Sequence, residues 1–94
     1  MTIEQKDMKR SEIFKVLSDP NRIRMIRILY SNGSEMTCGE VGDKLSISKS
    51  TVSYHFKILR SVGLTNTRRE SRNKFLSLNL NTFDEYLPGF LDSL

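Results

Sequence analysis

Two capped helix starts lie close together in the middle of the chain, and they constrain the fold more than any other feature. Thr37 and Glu40 have the spacing of a capping box, in which the Thr37 hydroxyl accepts from the Glu40 amide and the Glu40 carboxylate accepts from the Thr37 amide. A short helix follows, then a three-residue turn that ends at Ser48, which caps a longer helix over about residues 49–61. This order predicts a helix-turn-helix unit over about residues 37–62.

Proline and glycine divide the flanking segments. Pro20 ends one helix and starts the next, because proline disfavours helical geometry in the preceding residue but suits the first position of a helix. Gly63 ends the helix-turn-helix unit, and two short segments typical of strands follow around a polar hairpin tip. The predicted flanking elements are helices over about residues 7–17, 20–30 and 82–94 and a β-hairpin, or wing, over about residues 64–80. The last of these helices is weakly indicated, because Pro88 and Gly89 would break or delay it.

A length of 94 residues and this element order predict one domain, mainly α with a small β-hairpin wing. That is a winged helix-turn-helix fold of about five helices and two strands.

The polar first ten residues and the lack of a long apolar run predict a cytoplasmic protein without a membrane segment. One cysteine, Cys38, and one histidine, His55, provide neither a disulfide framework nor a zinc site. No catalytic constellation is present, so we expect neither an enzyme nor a cofactor.

Positive charge is concentrated in the helix-turn-helix and the wing. Between Lys44 and Lys74, eight basic residues stand against one acidic residue, Glu70, so this stretch carries +7 while the rest of the chain sums to −3. A basic half beside a mildly acidic half is the electrostatic footprint of a protein that binds a polyanion. A solvated surface is the alternative for the charge alone, although such surfaces normally mix both signs.

The longer helix of the unit has an apolar face and an opposite face suited to double-stranded DNA. Val52, Phe56 and Leu59 form the apolar face, and the other side carries hydroxyls, an aromatic ring and cations. Hydroxyls and lysines read base edges or bind phosphates, and a basic wing lies along the DNA backbone. On this helix we predict DNA contacts from Ser48, Lys49, Ser50, Thr51, Ser53, Tyr54, His55, Lys57 and Arg60. In the wing we predict them from Arg68, Arg69, Arg72 and Lys74.

Three segments, residues 14–24, 48–60 and 63–64, resemble the ArsR family of winged-helix regulators, also called the SmtB type. They occur in the family's order and spacing and span two-thirds of the chain. The resemblance implies a homodimer built from the first and last helices, at residues 7–17 and 82–94. It also implies a repressor that binds an inverted-repeat operator. In many members an effector releases the repressor from DNA.

The chain departs from the metal-sensing members of that family. Those members carry Cys-Val-Cys on the third helix, whereas residues 37–39 read Thr-Cys-Gly, and Cys38 takes the intervening position. The last helix of the family supplies a second site through Asp, His and Glu, and this tail has no histidine. We therefore expect no metal site.

Three other readings stay open from the sequence alone. The chain is alternatively a winged-helix module that docks a protein partner, or a regulator that responds to oxidation of Cys38. A cysteine at a helix start favours the thiolate, although a small residue in a capping turn is the simpler explanation. Whether an effector ligand or a partner protein controls DNA release is equally open.

Overall fold

Five α-helices and one small antiparallel sheet make up the chain, and the computed structural model describes all of its residues, 1–94. The prediction of a winged helix-turn-helix fold is confirmed. No helix combines the length and the apolar character needed to cross a membrane. The helices are α1 (Ile3–Leu17), α2 (Pro20–Asn32), α3 (Cys38–Leu45), α4 (Lys49–Ser61) and α5 (Leu80–Tyr86). The strands are β1 (Met36–Thr37), β2 (Thr65–Glu70) and β3 (Asn73–Leu78), and a 3₁₀ turn, Leu91–Ser93, ends the chain.

One apolar core joins the helix-turn-helix to the rest of the molecule. Phe56 of α4 and Phe83 of α5 are the largest fully buried side chains, and Ile13, Met25 and Leu76 bring α1, α2 and the sheet into the same cluster. Burial of large apolar side chains supplies most of the favourable free energy of folding. The helix-turn-helix is therefore held by the whole domain and not by its own two helices alone.

The capping signals in the middle of the chain act as the sequence predicts. The Glu40 amide donates to Thr37 Oγ1 at 3.2 Å, and the Thr37 amide donates to Glu40 Oε1 at 2.9 Å. The Ser48 hydroxyl accepts from the Thr51 amide at 3.2 Å and starts α4. These bonds satisfy backbone donors that a helix start leaves free. Both helices of the unit thus begin at their predicted residues.

The first helix begins earlier than predicted, at Ile3 instead of residue 7. A second capping box lies ahead of it: the Gln5 amide donates to Thr2 Oγ1 at 3.1 Å, and the Thr2 amide donates to Gln5 Oε1 at 2.8 Å. Glutamine replaces glutamate at the third helical position in this box. Ile3 is the one apolar residue in the extra turn, so residues 3–6 add too little apolar periodicity for the turn to be recognised.

The prediction of one helix over residues 82–94 is wrong. Asn79 starts α5 by accepting from the Thr82 amide at 3.4 Å, and the helix ends at Tyr86. Gly89 then has φ +81°, a left-handed conformation that reverses the chain. Phe90 stacks on Phe83 with ring centroids 6.2 Å apart. Apolar tail residues predicted as a dimer seam are consequently buried inside their own chain, namely Phe83, Tyr86 and Leu91.

The sheet has a third strand that the sequence did not reveal. The order is β1-β3-β2, and Met36 and Thr37 of β1 pair with Leu76 and Phe75 of β3. Two residues are too few to show the alternation that identifies a strand. The pairing attaches the wing to the start of α3, since Thr37 both ends β1 and caps α3.

Gly42 allows α3 to lie close to the turn before α4. A Cβ placed on Gly42 would lie 2.7 Å from the Ile47 carbonyl oxygen, closer than real Cβ contacts permit. The same turn is held by the Ile47 amide, which donates to the Gly42 carbonyl at 3.0 Å. The helix-turn-helix geometry therefore requires a residue without a side chain at this position.

We predict that Gly42→Ala lowers the free energy of unfolding by about 1–3 kcal/mol, because the added methyl group meets backbone that must shift. Gly39→Ala is the matched control, since a Cβ there meets only Thr37 Oγ1 at 3.9 Å. We expect Gly39→Ala to leave stability unchanged or to raise it by up to about 1 kcal/mol, since alanine favours helices over glycine. Urea denaturation followed by circular dichroism measures both, and equal effects of the two variants would contradict the prediction.

Candidate nucleic-acid interface

The start of α4 and the wing enclose a basic cleft of about 680 Å³. The start of α3 forms its floor through residues 37–39, and none of the residues that line it is acidic. Helix starts carry partial positive charge and free backbone donors, which adds to the field of the cations. The cleft is suited to a phosphate backbone. It brings together seven of the predicted site residues: Ser48, Lys49, Ser50, Ser53, Arg69, Arg72 and Lys74.

Four of the five remaining predicted residues of α4 lie along its outer face. Tyr54 is 59% exposed, although it is a large aromatic residue, and Thr51, Lys57 and Arg60 are exposed as well. Arg60 also donates from Nη1 to Thr67 Oγ1 of β2 at 2.8 Å, which links the end of α4 to the wing. An exposed aromatic ring between hydroxyls and cations is typical of a surface that contacts a ligand.

A hydroxyl cluster covers the first turn of α4. The Ser48 hydroxyl lies 2.8 Å from Thr51 Oγ1 and 3.2 Å from Ser50 Oγ. Hydroxyl groups both donate and accept, so the cluster can rotate its hydrogens to suit a phosphate or a base edge. It lies beside Lys49, so a polar contact and a cation meet at one point of the helix.

His55 does not share that outer face, contrary to its place in the predicted set. Its side chain is buried, and Nδ1 accepts from Arg22 Nε at 3.2 Å, with Asp19 Oδ2 at 3.9 Å. The reason is its phase on the helix, because residue 55 adjoins Phe56 on the side that packs against α2. No sequence signal pairs two residues that are 33 positions apart.

Arg68, which is predicted to contact DNA, already forms ion pairs with two carboxylates of its own chain. Glu35 accepts from Nε and Nη2 in a forked pair, with the shortest distance 2.7 Å, and Glu70 accepts from Nη1 at 2.8 Å. The guanidinium carbon lies 4.6 Å from the centroid of the Phe75 ring. Glu35 reaches the wing because it precedes β1, the strand that the sequence did not reveal. The charge of Arg68 is therefore largely neutralised within the chain.

Cys38 and the possible metal ligands are placed unfavourably for sensing. Cys38 is a buried free cysteine, and burial raises the pKa of its thiol, an effect that Lys74 and Lys49 offset only in part. A raised pKa means little thiolate at neutral pH, and the thiolate is the reactive form. Histidine, cysteine and carboxylate side chains form no group of three that is able to hold a metal ion.

Comparison with known proteins assigns the chain to a family. A family of helix-turn-helix domains matches residues 17–68. YceK of Bacillus subtilis, an uncharacterised helix-turn-helix-type transcriptional regulator, is 56% identical over 95 residues, which cover 100% of this chain and 95% of that protein. A Synechocystis homologue of the transcriptional repressor SmtB is 33% identical over 83% of this chain and 57% of that protein. The chain belongs to the ArsR/SmtB family of transcriptional regulators.

A solved structure supports the fold. HlyU from Vibrio cholerae superposes with a TM-score of 0.72 at 32% identity, over 81% of this chain and 80% of that one. Both the predicted family and the predicted fold are thereby confirmed. This ArsR/SmtB-family protein is a DNA-binding transcriptional regulator and not an enzyme.

We predict that the Glu35 carboxyl titrates below the ordinary glutamate pKa of about 4.3. The hydrogen bond from Arg68 lowers the pKa of Glu35, so the pair stabilises the fold above the unfolded-state pKa. That contribution is lost as the pH falls through the lowered value. In Arg68→Gln the Glu35 titration should return to the ordinary range, which NMR of the side-chain carboxyl carbons will show.

Glu40 is the internal control for that titration. Its pKa is also lowered, but by the hydrogen bonds from Thr37 and not by Arg68. Its titration should therefore be the same in both proteins. If Glu35 titrates identically with and without Arg68, the ion pair does not form in solution.

Proposed function

We propose that this regulator is a repressor that binds an inverted-repeat operator as a homodimer, with α4 in the major groove and the wing along the backbone. The observation that carries the proposal is the basic cleft, where cations and hydroxyls from α4 and from the wing meet without a carboxylate. A polyanion is the ligand that such a cleft attracts most strongly.

In this proposal the outer face of α4 reads the DNA sequence. The helix has 13 residues, and a single helix fits the width of the major groove. Tyr54 and Lys57 project from its exposed side, with Ser50 and Ser53 nearer to the cleft. Their hydroxyls and the ammonium group are suited to hydrogen bonds with base edges, whereas an apolar face would give no such discrimination.

The phosphate contacts belong to the cations around that face. Lys49, Arg69, Arg72 and Lys74 line the cleft, and Arg60 lies at the far end of α4. Each phosphate that a cation neutralises releases a counterion, so binding weakens as salt rises. Arg68 is left out of this set, because its guanidinium forms ion pairs with Glu35 and Glu70.

The proposed dimer contact involves α1. Ile3 is 79% and Phe14 is 56% exposed, and they lie eleven residues, or about three helical turns, apart on one face. Leu80, at the start of α5, is a further exposed apolar residue. Small domains bury limited apolar area by themselves, and a dimer contact adds to it. This surface replaces the tail seam that the sequence predicted.

We predict that wing and helix variants affect DNA binding differently. Arg69→Ala and Arg72→Ala should weaken binding to every duplex and lower the slope of affinity against salt by about one each. Ser50→Ala and Tyr54→Ala should change which sequences are preferred. The measurement is fluorescence anisotropy with the DNA upstream of the protein's own gene and a scrambled duplex of equal length, at two salt concentrations.

Arg68→Gln is the matched control within the wing. It removes the same type of side chain from the same hairpin, but one to which the proposal gives no phosphate, so the salt slope should stay at its wild-type value, although the two freed carboxylates weaken binding to every duplex. Weak binding that is equal for both duplexes would refute the proposal and favour a protein partner for this surface. Increased expression of a reporter behind the upstream DNA on deletion of the gene would establish repression, and decreased expression would contradict it.

We predict that Phe14→Glu converts the dimer into a monomer of 10.9 kDa, because it places a charge in the apolar contact. Lys15→Glu, on another side of the same helix, should leave the dimer intact. Sedimentation velocity measures the mass, and circular dichroism confirms that both variants fold. A wild-type protein that sediments as a monomer would remove α1 as the contact.

A further inference from the structure

Arg22 is a charged side chain that joins three helices inside the protein. Its Nη1 donates to the Val16 carbonyl of α1 at 3.1 Å, and its Nη2 lies 4.0 Å from Asp19 Oδ2, at the start of α2. Its Nε donates to His55 Nδ1 of α4 at 3.2 Å. The side chain is only 14% exposed. A planar guanidinium with several fixed donors is suited to such a three-way junction, whereas an ammonium group is not.

The bond to His55 fixes the protonation pattern of the imidazole ring. Because Nδ1 accepts a hydrogen bond from Arg22, it carries a lone pair, and the proton of the neutral ring is on Nε2. Tyr54, the exposed residue just before His55 in the helix, has its ring centroid 5.4 Å from that of His55 in an edge-to-face arrangement. A rotation of α4 that moved Tyr54 would therefore also break the contact with Arg22.

We propose that Arg22 is a positioning residue for DNA recognition: through His55 Nδ1 it fixes the rotation of α4 and holds Tyr54 toward the DNA. This inference rests on the proposed function. Arg22 itself contacts no DNA. It acts through a partly buried hydrogen bond that ties the centre of α4 to the junction of α1 and α2.

Replacing His55 by an amide residue distinguishes its role as an acceptor for Arg22 from a direct contact with DNA. The oxygen of Asn lies near the position of Nδ1, so His55→Asn keeps an acceptor for Arg22. His55→Gln places its amide near the position of Nε2 and leaves Nδ1 without a substitute. We expect His55→Asn to retain most of the preference for the native duplex and His55→Gln to lose it. The reverse result would show a direct contact from Nε2 and overturn the proposal.

Removing the donor tests the same bond from the other side. Arg22→Met keeps the apolar stem, and Arg24→Met is the control, because it removes the same charge from an exposed position on the same helix. We expect Arg22→Met to weaken binding to the native duplex about tenfold, the scale of one hydrogen bond to a charged group. Binding to the scrambled duplex should change as little as in Arg24→Met. An equal loss on both duplexes would overturn the proposal.

A spectroscopic measurement checks the bond without DNA. His55 is the only histidine, so its ring ¹⁵N signals are unambiguous. In alkaline buffer we expect the Nε2–H tautomer in the wild type and a mixture of tautomers in Arg22→Met. A mixture already present in the wild type would contradict the bond. If the tautomer is as expected but the wild type shows no preference for the native duplex, the proposed function fails. The bond between Arg22 and His55 is then present but has no role in DNA recognition.

Discussion

The close approach of α3 to the turn before α4, made at Gly42, is the contact on which the DNA-facing surface depends. It brings the two helix starts to one side of the domain, where the wing meets them. Phe56 then holds α4 in the common core, so the outer face of the helix is presented by a packed scaffold. A recognition helix on a rigid support loses little entropy when it binds, which favours affinity for one orientation.

The sequence predicts the local features of this protein well and the distant ones poorly. The capping box of Thr37 and Glu40, the turn at Ser48 and the hairpin are each determined within a few residues, and the structure has them at or near their predicted places. The pairs Arg22–His55 and Arg68–Glu35 each span 33 positions and depend on how the elements pack. The stacking of the partly buried Phe90 on Phe83, after the reversal at Gly89, is likewise a contact that no periodicity shows.

The same contrast applies to charge. The stretch from Lys44 to Lys74 carries +7 in the sequence, but the strand pairing of β1 places Glu35 beside the wing and removes Arg68 from the free cations. What remains around the cleft is a smaller set of cations with no acidic neighbour in its lining. The interface is thus defined by where the carboxylates are, as much as by the number of basic residues.

Thr37 belongs to the sheet and to the helix-turn-helix at once, because it ends β1 and caps α3. Arg60 makes a second connection, from the end of α4 to β2. Thr37 thus ties the sheet to the start of α3, and Arg60 ties it to the end of α4. With α4 in the major groove and the wing along the backbone, as proposed, these two links would set the separation between the groove contact and the backbone contact. A duplex whose groove is wider or narrower than this separation would have to deform to be held, so its stiffness would become part of what the protein recognises.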